Sequence, residues 1–251
     1  MKCLIIAAGQ GSRLRQTAES KPLVPLLGIP LIERVILSAA EGGADEFYVV
    51  SGYQGERVRR YLDGMSAKEG IIVHHIVNER WQKPNGLSVL KASDYLSGSF
   101  LLLMADHLFD PTIVSELLKE PLMDGLILAV DKRLGNPLVD LQDVTRVQCN
   151  NGFICEIGKG IETFNAFDTG IFYCSSSLFG AIEASDKNNA DASLSGGVRY
   201  LAKLGKAKVF DIEDRFWLDI DDSRSYVKAE VTLGERLRQQ RQEVIKRSAI
   251  A

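Results

Sequence analysis

The sequence predicts an α/β protein with a doubly wound, mostly parallel sheet and a small antiparallel β insertion. Two observations favour this fold class. Through the first half of the chain, short apolar runs alternate with amphipathic stretches, as parallel strands alternate with their crossover helices. After about residue 132, short alternating segments separated by turn residues replace that rhythm, which is typical of antiparallel hairpins.

The first half predicts strands and helices in strict alternation. The strands are expected at Leu4–Ala8, Phe47–Val50, Ile71–Val77, Phe100–Ala105 and Leu126–Val130, and the helices at Leu31–Ala40, Gln54–Leu62, Leu87–Leu96 and Pro111–Lys119. Ligands of such sheets bind at the carboxyl ends of the strands, so the residues that follow the strands are expected to line one crevice. These residues are Gly9, Ser51, Asn78 and Asp106.

The second half predicts the insertion and a return to the main sheet. Short strands are expected at Leu138–Leu141, Thr145–Cys149 and Phe153–Ile157, the last two joined by a turn at Asn150-Asn151-Gly152, as a lid over the crevice for a second substrate. Gly170–Cys174 and Phe216–Asp221 are then expected to rejoin the sheet, followed by a helix from about Ser223. We interpret residues 1–251 as a single domain, with halves 1–130 and 131–222 and a C-terminal helix 223–251.

Composition excludes several classes of protein. Lysine and arginine number 30 against 33 acidic residues, a net charge of −3, and 45% of the residues are apolar, which argues against disorder and against binding to nucleic acid. Four cysteines form no C-x-x-C pair and are expected to be reduced and buried. The apolar runs are too short for a signal peptide or a membrane span, so a cytoplasmic protein is expected.

The charge is unevenly distributed along the chain. Residues 223–251 carry seven basic and three acidic side chains, so the preceding 222 residues carry −7. Apolar residues of this basic tail keep a helical spacing at Tyr226, Leu233, Leu237 and Val244. The tail is either a docking helix directed toward a membrane surface or membrane domain, or a solvated terminal helix.

A glycine-rich segment after the first strand predicts a phosphate-binding loop. Gly9-Gln10-Gly11-Ser12-Arg13 is followed by Lys21-Pro22-Leu23. Glycines allow backbone N–H groups to approach phosphate oxygens closely, and Arg13 and Lys21 supply positive charge for a triphosphate. The spacing matches neither the dinucleotide G-x-G-x-x-G nor the P-loop pattern, which disfavours hydride transfer and ATP hydrolysis.

With further motifs in order along the chain, this segment resembles the sugar-phosphate nucleotidylyltransferases. The motifs are Val50-Ser51-Gly52-Tyr53, Asn85-Gly86-Leu87-Ser88, Asp106 after an apolar strand, Asp168-Thr169-Gly170 and Trp217-Leu218-Asp219-Ile220-Asp221. The resemblance implies a Rossmann-like nucleotidyltransferase fold of the glycosyltransferase-A type. It implies nucleotide contacts from Ala7, Ala8, Gly9, Gln10, Gly11, Ser12, Arg13, Lys21, Ser51, Gly52, Asn85, Gly86, Ser88 and Asp106, with Arg13, Lys21 and Asp106 as the catalytic residues.

The same resemblance implies a Mg²⁺ site. In the family the aspartate after the strand, here Asp106, holds Mg²⁺ on the nucleotide phosphates, and the aspartate of a late W-x-D segment, here Asp219, completes the site. Carboxylates, water and phosphate oxygens suit octahedral Mg²⁺. Asp221 is an alternative metal ligand, because residues two apart in an extended segment point to the same side.

Among these enzymes, the region after residue 131 is most similar to the CTP:inositol-1-phosphate cytidylyltransferases, which make CDP-inositol for the solute di-myo-inositol phosphate. The similarity implies Lys159 on the acceptor phosphate and a set of polar residues near the polyol. This set is Asp140, Thr145, Asn165, Asp168 and Thr169. His107, which directly follows Asp106, and Gly170 are further candidates for contact with the acceptor. Two alternatives stay open: Lys159 is a solvated hairpin charge, and His107 makes a structural hydrogen bond. Members of this subfamily are often fused to a membrane-embedded alcohol phosphatidyltransferase domain, so such a partner or fused domain is possible, and the oligomeric state is left open.

The reaction also follows from general chemistry. A phosphomonoester is a dianion near neutral pH, so its attack on an α-phosphorus needs charge neutralisation and in-line positioning rather than a general base. Together with this chemistry, the resemblance implies CTP, or another nucleoside triphosphate, and a small phosphomonoester as substrates. The alternatives are a hexose-1-phosphate or phosphocholine nucleotidylyltransferase, and a regulatory subunit that binds a nucleotide sugar without turnover.

Overall fold

The computed structural model describes residues 1–14 and 20–248 and has an α/β architecture centred on one large sheet. The strands are β1 Lys2–Ala7, β2 Pro25–Leu26, β3 Ile29–Pro30, β4 Glu46–Ser51, β5 Ile72–Val77, β6 Ser99–Met104, β7 His107–Phe109, β8 Leu126–Asp131, β9 Arg146–Asn150, β10 Phe153–Gly158, β11 Ala166–Ser175, β12 Ala207–Asp211 and β13 Trp217–Asp219. The helices are α1 Leu31–Glu41, α2 Gly55–Glu69, α3 Gly86–Leu90, α4 Pro111–Leu117, α5 Ser177–Asn189, α6 Leu194–Lys203 and α7 Ser223–Ser248.

The large sheet is mixed, with strand order β5-β4-β1-β6-β11-β8-β12-β10-β9. Its first four strands are parallel, as the alternation of strands and helices predicts. Strand β11 then runs antiparallel to both β6 and β8, while β8 and β12 are parallel. The predicted α/β class is therefore confirmed, and the antiparallel strands make the sheet mixed rather than mostly parallel throughout.

Helices cover both faces of the sheet, and β1 shows why. Leu4 is buried in a core with residues of α3, α5 and α6, whereas Cys3 and Ile5 are buried on the opposite face with residues of α1, α2 and α4. Successive side chains of a strand point to opposite faces, so a continuous apolar run requires cover on both sides. This doubly wound arrangement leaves the carboxyl ends of β1 and β6 open at one edge.

Two predicted strands are wrong. Leu138–Leu141 forms turns, since its backbone is held by local hydrogen bonds such as Val139 N to Asn136 O at 3.2 Å. Phe216–Asp221 does not rejoin the main sheet, because its strand β13 pairs with β7 in a separate two-stranded sheet. The predicted helix Leu87–Leu96 ends at Leu90 and continues as turns.

The predicted antiparallel insertion exists, but it is joined to the edge of the main sheet. Strands β9 and β10 form a hairpin around Asn151 and Gly152, both of which have positive φ. The hairpin extends the sheet through β12, and β9 also pairs with β11. It therefore forms a wall of the crevice that is continuous with the sheet.

Helix α7 packs on its own domain. Ala229 is buried and Tyr226 and Leu233 are partly buried against a small core that contains Leu14 and Leu218. The Tyr226 hydroxyl donates to the Pro25 carbonyl at 2.7 Å. Leu237 is exposed, and the side chain of Val244 lies outside the described residues. Within the described part of the chain, none of the helices combines the length and apolar character needed to cross a membrane.

The cysteines agree in part with the expectation of buried, reduced thiols. All four are free. Cys3, Cys149 and Cys174 are buried, whereas Cys155 is exposed on β10, because alternate residues of this edge hairpin face solvent.

Candidate active site

The loop after β1 is shaped around the side chain of Lys21. Gly11 has φ +59°, in the left-handed region that favours glycine, and a Cβ placed on it would lie 2.8 Å from Lys21 Cδ. The glycine therefore lets the loop pass directly over the aliphatic part of Lys21. Ala7, Gly9, Gly11, Arg13 and Lys21 line one cavity together with Asp106, so these predicted nucleotide contacts lie together.

The small sheet of β7 and β13 brings the late W-x-D segment to Asp106. Asp219 stands opposite His107 in the antiparallel register, and the Ile220 N–H donates to the Asp106 carbonyl at 3.1 Å. Ligand atoms of Asp106, His107 and Asp219 all lie within 4.8 Å of one another. Two carboxylates that are far apart in sequence thus converge at the carboxyl end of β6.

His107 is held in one orientation by the backbone of β11. Its Nδ1 lies 2.7 Å from the Thr169 carbonyl, which can only accept, so Nδ1 carries a proton and Nε2 points toward the carboxylates. Nε2 lies 3.5 Å from an oxygen of Asp219. Burial opposes the charged form of His107, but Asp219 and Asp106 together raise its pKa. The predicted alternative of a structural hydrogen bond is therefore confirmed, and the same ring also lines the cleft.

Lys21 bridges two carboxylates of the site. Its buried ammonium group forms ion pairs with both Asp106 and Asp221. Burial alone would lower the pKa of Lys21, but Asp106 and Asp221 outweigh it and raise the pKa. Conversely, burial would raise the pKa of Asp106, and Lys21 lowers it. Lys21 is thus charged, and it pairs with two carboxylates of the cleft.

Asp219 differs from these paired carboxylates. Its Oδ1 is enclosed and has no hydrogen-bond partner among the described residues. Burial raises the pKa of Asp219 to about 7; His107 opposes this shift, and the negative charges of Asp106 and Asp221 reinforce it. A buried carboxylate oxygen without a hydrogen bond is costly, so Asp219 is a carboxylate of this cleft that could hold a cation.

Ion pairs continue from Asp221 to the opposite wall of the cleft. Arg13 contacts Asp221 at 3.1 Å and Asp143 at 2.6 Å, and Asp143 in turn contacts Lys159 at 2.5 Å. Lys159 lies after β10, on the hairpin side of the cleft. The Lys159 side chain is exposed, as a hairpin charge would be, and it shares the Asp143 carboxylate with the arginine of the glycine-rich loop.

On the side predicted to face the base, the polar groups form hydrogen bonds within the protein. Ser51 is buried, and its carbonyl accepts from the Asn78 N–H at 2.8 Å. Ser88 is also buried and accepts from the Asn78 amide at 2.9 Å. Asn85 lines the cleft while its side-chain oxygen accepts from the Leu194 N–H at 3.0 Å.

The other predicted nucleotide contacts are placed as follows. Gly52 lies against the Ala8 carbonyl, because a Cβ placed there would come within 2.9 Å of it. Gly86 packs closely under the backbone of Ala192. Gln10 is half-buried in the loop after β1, and the side chain of Ser12 lies outside the described residues.

The predicted acceptor residues divide into two groups. Thr145, Lys159, Asp168 and Gly170 line the cleft with Asp106, His107 and Asp219, and Asp140 lines the adjoining cavity. Asn165 and Thr169 are not brought to the cleft. The Asn165 side-chain oxygen accepts from the Cys149 N–H at 2.9 Å, and its side-chain nitrogen donates to the Cys149 carbonyl at 2.8 Å. The buried Thr169 hydroxyl donates to the Ala129 carbonyl at 2.8 Å.

Two site residues escape prediction from the sequence. In the sequence, Asp143 resembles any exposed charge near a hairpin, because its partners Arg13 and Lys159 lie 130 and 16 residues away. In the sequence, Asp131 resembles a residue at the end of a strand. In the structure it is fully buried and accepts from the Trp217 indole N–H at 2.9 Å, and this hydrogen bond anchors β13. No short-range pattern could have revealed either contact.

The fold and the site together define a nucleotidyltransferase. The glycine-rich loop, the lysine behind it and the aspartate after β6 meet at the switch point of a doubly wound sheet, where such folds bind nucleotides. Residues 3–150 match the model of the MobA-like NTP transferase domain. The chain belongs to the MobA-like NTP transferase domain family.

Similar proteins agree with this assignment. A bifunctional IPC transferase and DIPP synthase from Rubrobacter xylanophilus is 31% identical over 92% of this chain and 51% of its own length. The inositol-1-phosphate CTP transferase from T. maritima has a similar structure, with a TM-score of 0.79, 26% identity and coverage of 89% of this chain and 90% of that chain. The chain spans about half the length of the curated relatives it matches.

A more distant structure shows the same fold. A putative glucose-1-phosphate thymidylyltransferase from Bacillus anthracis gives a TM-score of 0.75 at 17% identity, covering 92% of this chain and 94% of that chain.

Proposed function

We propose that this protein transfers a cytidylyl group from CTP to inositol 1-phosphate, giving CDP-inositol and pyrophosphate. The observation that carries the proposal is the convergence of Arg13, Lys21 and Lys159 on one cleft beside Asp106. A reaction between a triphosphate and a phosphomonoester brings many negative charges together, so it requires cations on both sides of the reacting phosphorus.

The roles follow from position. The backbone after β1, with Arg13 and Lys21, would bind the nucleotide phosphates, and Lys159 on the opposite wall would bind the acceptor phosphate. An acceptor oxygen then attacks the α-phosphorus in line as pyrophosphate leaves. The acceptor is already ionised, so these residues orient it and neutralise charge without removing a proton.

A magnesium ion fits the carboxylates at the end of β6. The enclosed Oδ1 of Asp219 accepts no hydrogen bond from the described residues, and Asp106 offers a second oxygen nearby. Asp219 suits this role better than Asp221, because one oxygen of Asp221 is paired with Lys21 and the other with Arg13, whereas Lys21 contacts one oxygen of Asp106. When bound, the ion would neutralise charge on the nucleotide phosphates and the leaving group.

Inositol 1-phosphate as the acceptor rests on the relatives and on the cleft. The name of the T. maritima neighbour specifies CTP and inositol 1-phosphate. The cleft adds hydroxyl, carboxylate and imidazole groups at Thr145, Asp168 and His107, which can hydrogen-bond a polyol. A cation beside several short polar groups is what a phosphorylated polyol requires.

The proposal is tested by pyrophosphate release across a matrix of nucleotides and phosphomonoesters. CTP, UTP, dTTP and GTP are each combined with inositol 1-phosphate, glucose 1-phosphate and phosphocholine in the presence of Mg²⁺. The pair CTP and inositol 1-phosphate should give the highest kcat/KM. A higher value for glucose 1-phosphate with UTP or dTTP would reject the inositol assignment, and the absence of turnover with every pair would favour a regulatory subunit.

The metal site is tested separately from turnover. Mn²⁺ binding, followed by electron paramagnetic resonance, should weaken at least about tenfold in Asp106→Asn and Asp219→Asn. Asp186→Asn, which removes a carboxylate on the exposed side of α5, serves as the control and should bind Mn²⁺ like the unmodified protein. Equal Mn²⁺ affinity in all three variants would contradict the metal assignment.

A further inference from the structure

Asp143 connects the two sides of the cleft through a single carboxylate. One oxygen lies 2.6 Å from an Arg13 nitrogen and the other lies 2.5 Å from the Lys159 ammonium. Arg13 comes from the loop after β1 and Lys159 from the end of β10. Each oxygen therefore serves one of the two cations to which we assign a substrate phosphate.

The position of Asp143 is fixed by its own segment. The Asp140 carbonyl accepts from the backbone N–H groups of Asp143 and Val144 at 3.1 and 2.9 Å, which closes a turn. Arg146, two residues further on, ties this turn to the hairpin by donating to the Leu141 carbonyl at 3.2 Å. The Asp143 carboxylate is thus presented to the cleft by backbone contacts that involve neither cation.

The two cations, in contrast, are long and exposed side chains, although Arg13 also contacts Asp221. Arg13 is 53% exposed and Lys159 is 59% exposed, whereas Asp143 is only 23% exposed. Arginine and lysine lose much rotamer freedom when they bind a ligand, and a fixed partner removes part of that loss beforehand. Each cation keeps further N–H donors, since arginine has five and lysine three, so a phosphate can bind while Asp143 holds the side chain.

We infer that Asp143 is a positioning residue that orients Arg13 and Lys159 together, and so prepares the nucleotide and acceptor subsites at once. The inference rests on the proposed assignment of these two cations to the two substrates. It predicts that losing one carboxylate weakens the binding of both substrates, although that loss also removes a negative charge from an anion-binding cleft.

The test compares Asp143→Asn with Glu162→Gln, using the substrate pair that the matrix above finds most active. Both variants remove one negative charge, but Glu162 is exposed on the loop beyond Lys159. Asp143→Asn should raise KM for the nucleotide and for the acceptor by about threefold to fivefold each, the range of a partly exposed ion pair. Glu162→Gln should change either value by less than about 1.5-fold.

A second background separates positioning from a general effect on the fold. With Lys159→Ala already present, Asp143→Asn should still raise KM for the nucleotide about threefold but leave KM for the acceptor unchanged. An equal rise in the acceptor KM in both backgrounds would mean that Asp143 acts through the fold, and would overturn the inference.

Two other outcomes would also overturn it. A fall in both KM values would mean that the Asp143 carboxylate competes with the substrate phosphates. Unchanged KM values would mean that it neither positions the two cations nor competes with the substrates. The inference and the proposed function fail separately: the function fails in the substrate matrix, whereas the inference fails in these KM values with whichever pair is active. Thermal midpoints of all variants, measured alongside, identify any loss of folding.

Discussion

At the scale of single residues, the site is organised by which carboxylate each cation contacts. Lys21 pairs with Asp106 and Asp221, and Arg13 pairs with Asp221 and Asp143. The enclosed Oδ1 of Asp219 lies 3.5 Å from His107 Nε2 but accepts no hydrogen bond from the described residues. With Lys159 on Asp143, three cations offset the three carboxylates Asp106, Asp143 and Asp221, and Asp219 is the carboxylate at which we propose a cation.

The packing of Gly11 on Lys21 leads to a first prediction. Gly11→Ala should lower kcat/KM at least about tenfold, because the new Cβ meets the Lys21 side chain and displaces its ammonium group. Gly98→Ala is the matched control, since Gly98 also has a positive φ, +81°, but open space around it. It should cost about 1 kcal/mol of stability without changing kcat/KM. Equal loss of activity in both variants would show that strain, not displacement of Lys21, is responsible.

At the scale of elements, close backbone approaches place the groups that line the cleft. Pairing of β7 with β13 sets Asp219 beside His107, and the residues that lead into α6 pack directly on α3 at Gly86. Gly86 was predicted as a nucleotide contact, and in the structure its missing side chain allows the two helices to approach. This packing also brings the Leu194 N–H to Asn85, so α6 orients a residue of the cleft wall.

A stability measurement tests this structural role of Gly86. Gly86→Ala should lower the free energy of unfolding by about 2 kcal/mol or more, because the added methyl group meets the Ala192 carbonyl and Ser193. Gly64→Ala in α2, where nothing lies within 4 Å, should instead raise it by about 0.5–1 kcal/mol. Denaturant unfolding measures both values, and an unchanged stability in Gly86→Ala would leave nucleotide contact as the reason for this glycine.

At the scale of the whole molecule, α7 covers a small core beneath the active site. Ala229 and Tyr226 pack with Leu14, which ends the short helical turn that carries Arg13, and with Leu218, the residue before Asp219. Further along the helix, the guanidinium carbon of Arg236 lies 4.9 Å from the centre of the Phe216 ring, and a nitrogen of Arg236 lies 3.1 Å from an oxygen of Asp110. The basic helix α7 therefore supports both segments that meet at the site, the one that carries Arg13 and the one that carries Asp219.

Truncation tests this role of the helix. A chain that ends at residue 222 should lose about 10 °C or more in thermal midpoint, because the core that contains Leu14 and Leu218 becomes exposed. A chain that ends at residue 238 keeps the contacts of Tyr226, Ala229 and Arg236 and should stay within about 3 °C of the full chain. Differential scanning calorimetry distinguishes the two, and equal midpoints would contradict a supporting role for α7.

The sequence by itself determines the features that depend on neighbouring residues. The parallel strands of the first half, the glycine-rich loop with Arg13, and the position of Asp106 after β6 follow from local apolar runs and residue spacing. Only the tertiary structure decides which distant groups meet. Asp143 reaches Arg13 across 130 residues, Lys21 reaches Asp221 across 200, and β13 pairs with β7 instead of the main sheet. The reason is physical: strands and turns are favoured by local chemistry, whereas an ion pair between distant residues exists only once the packed sheet has brought their backbones together.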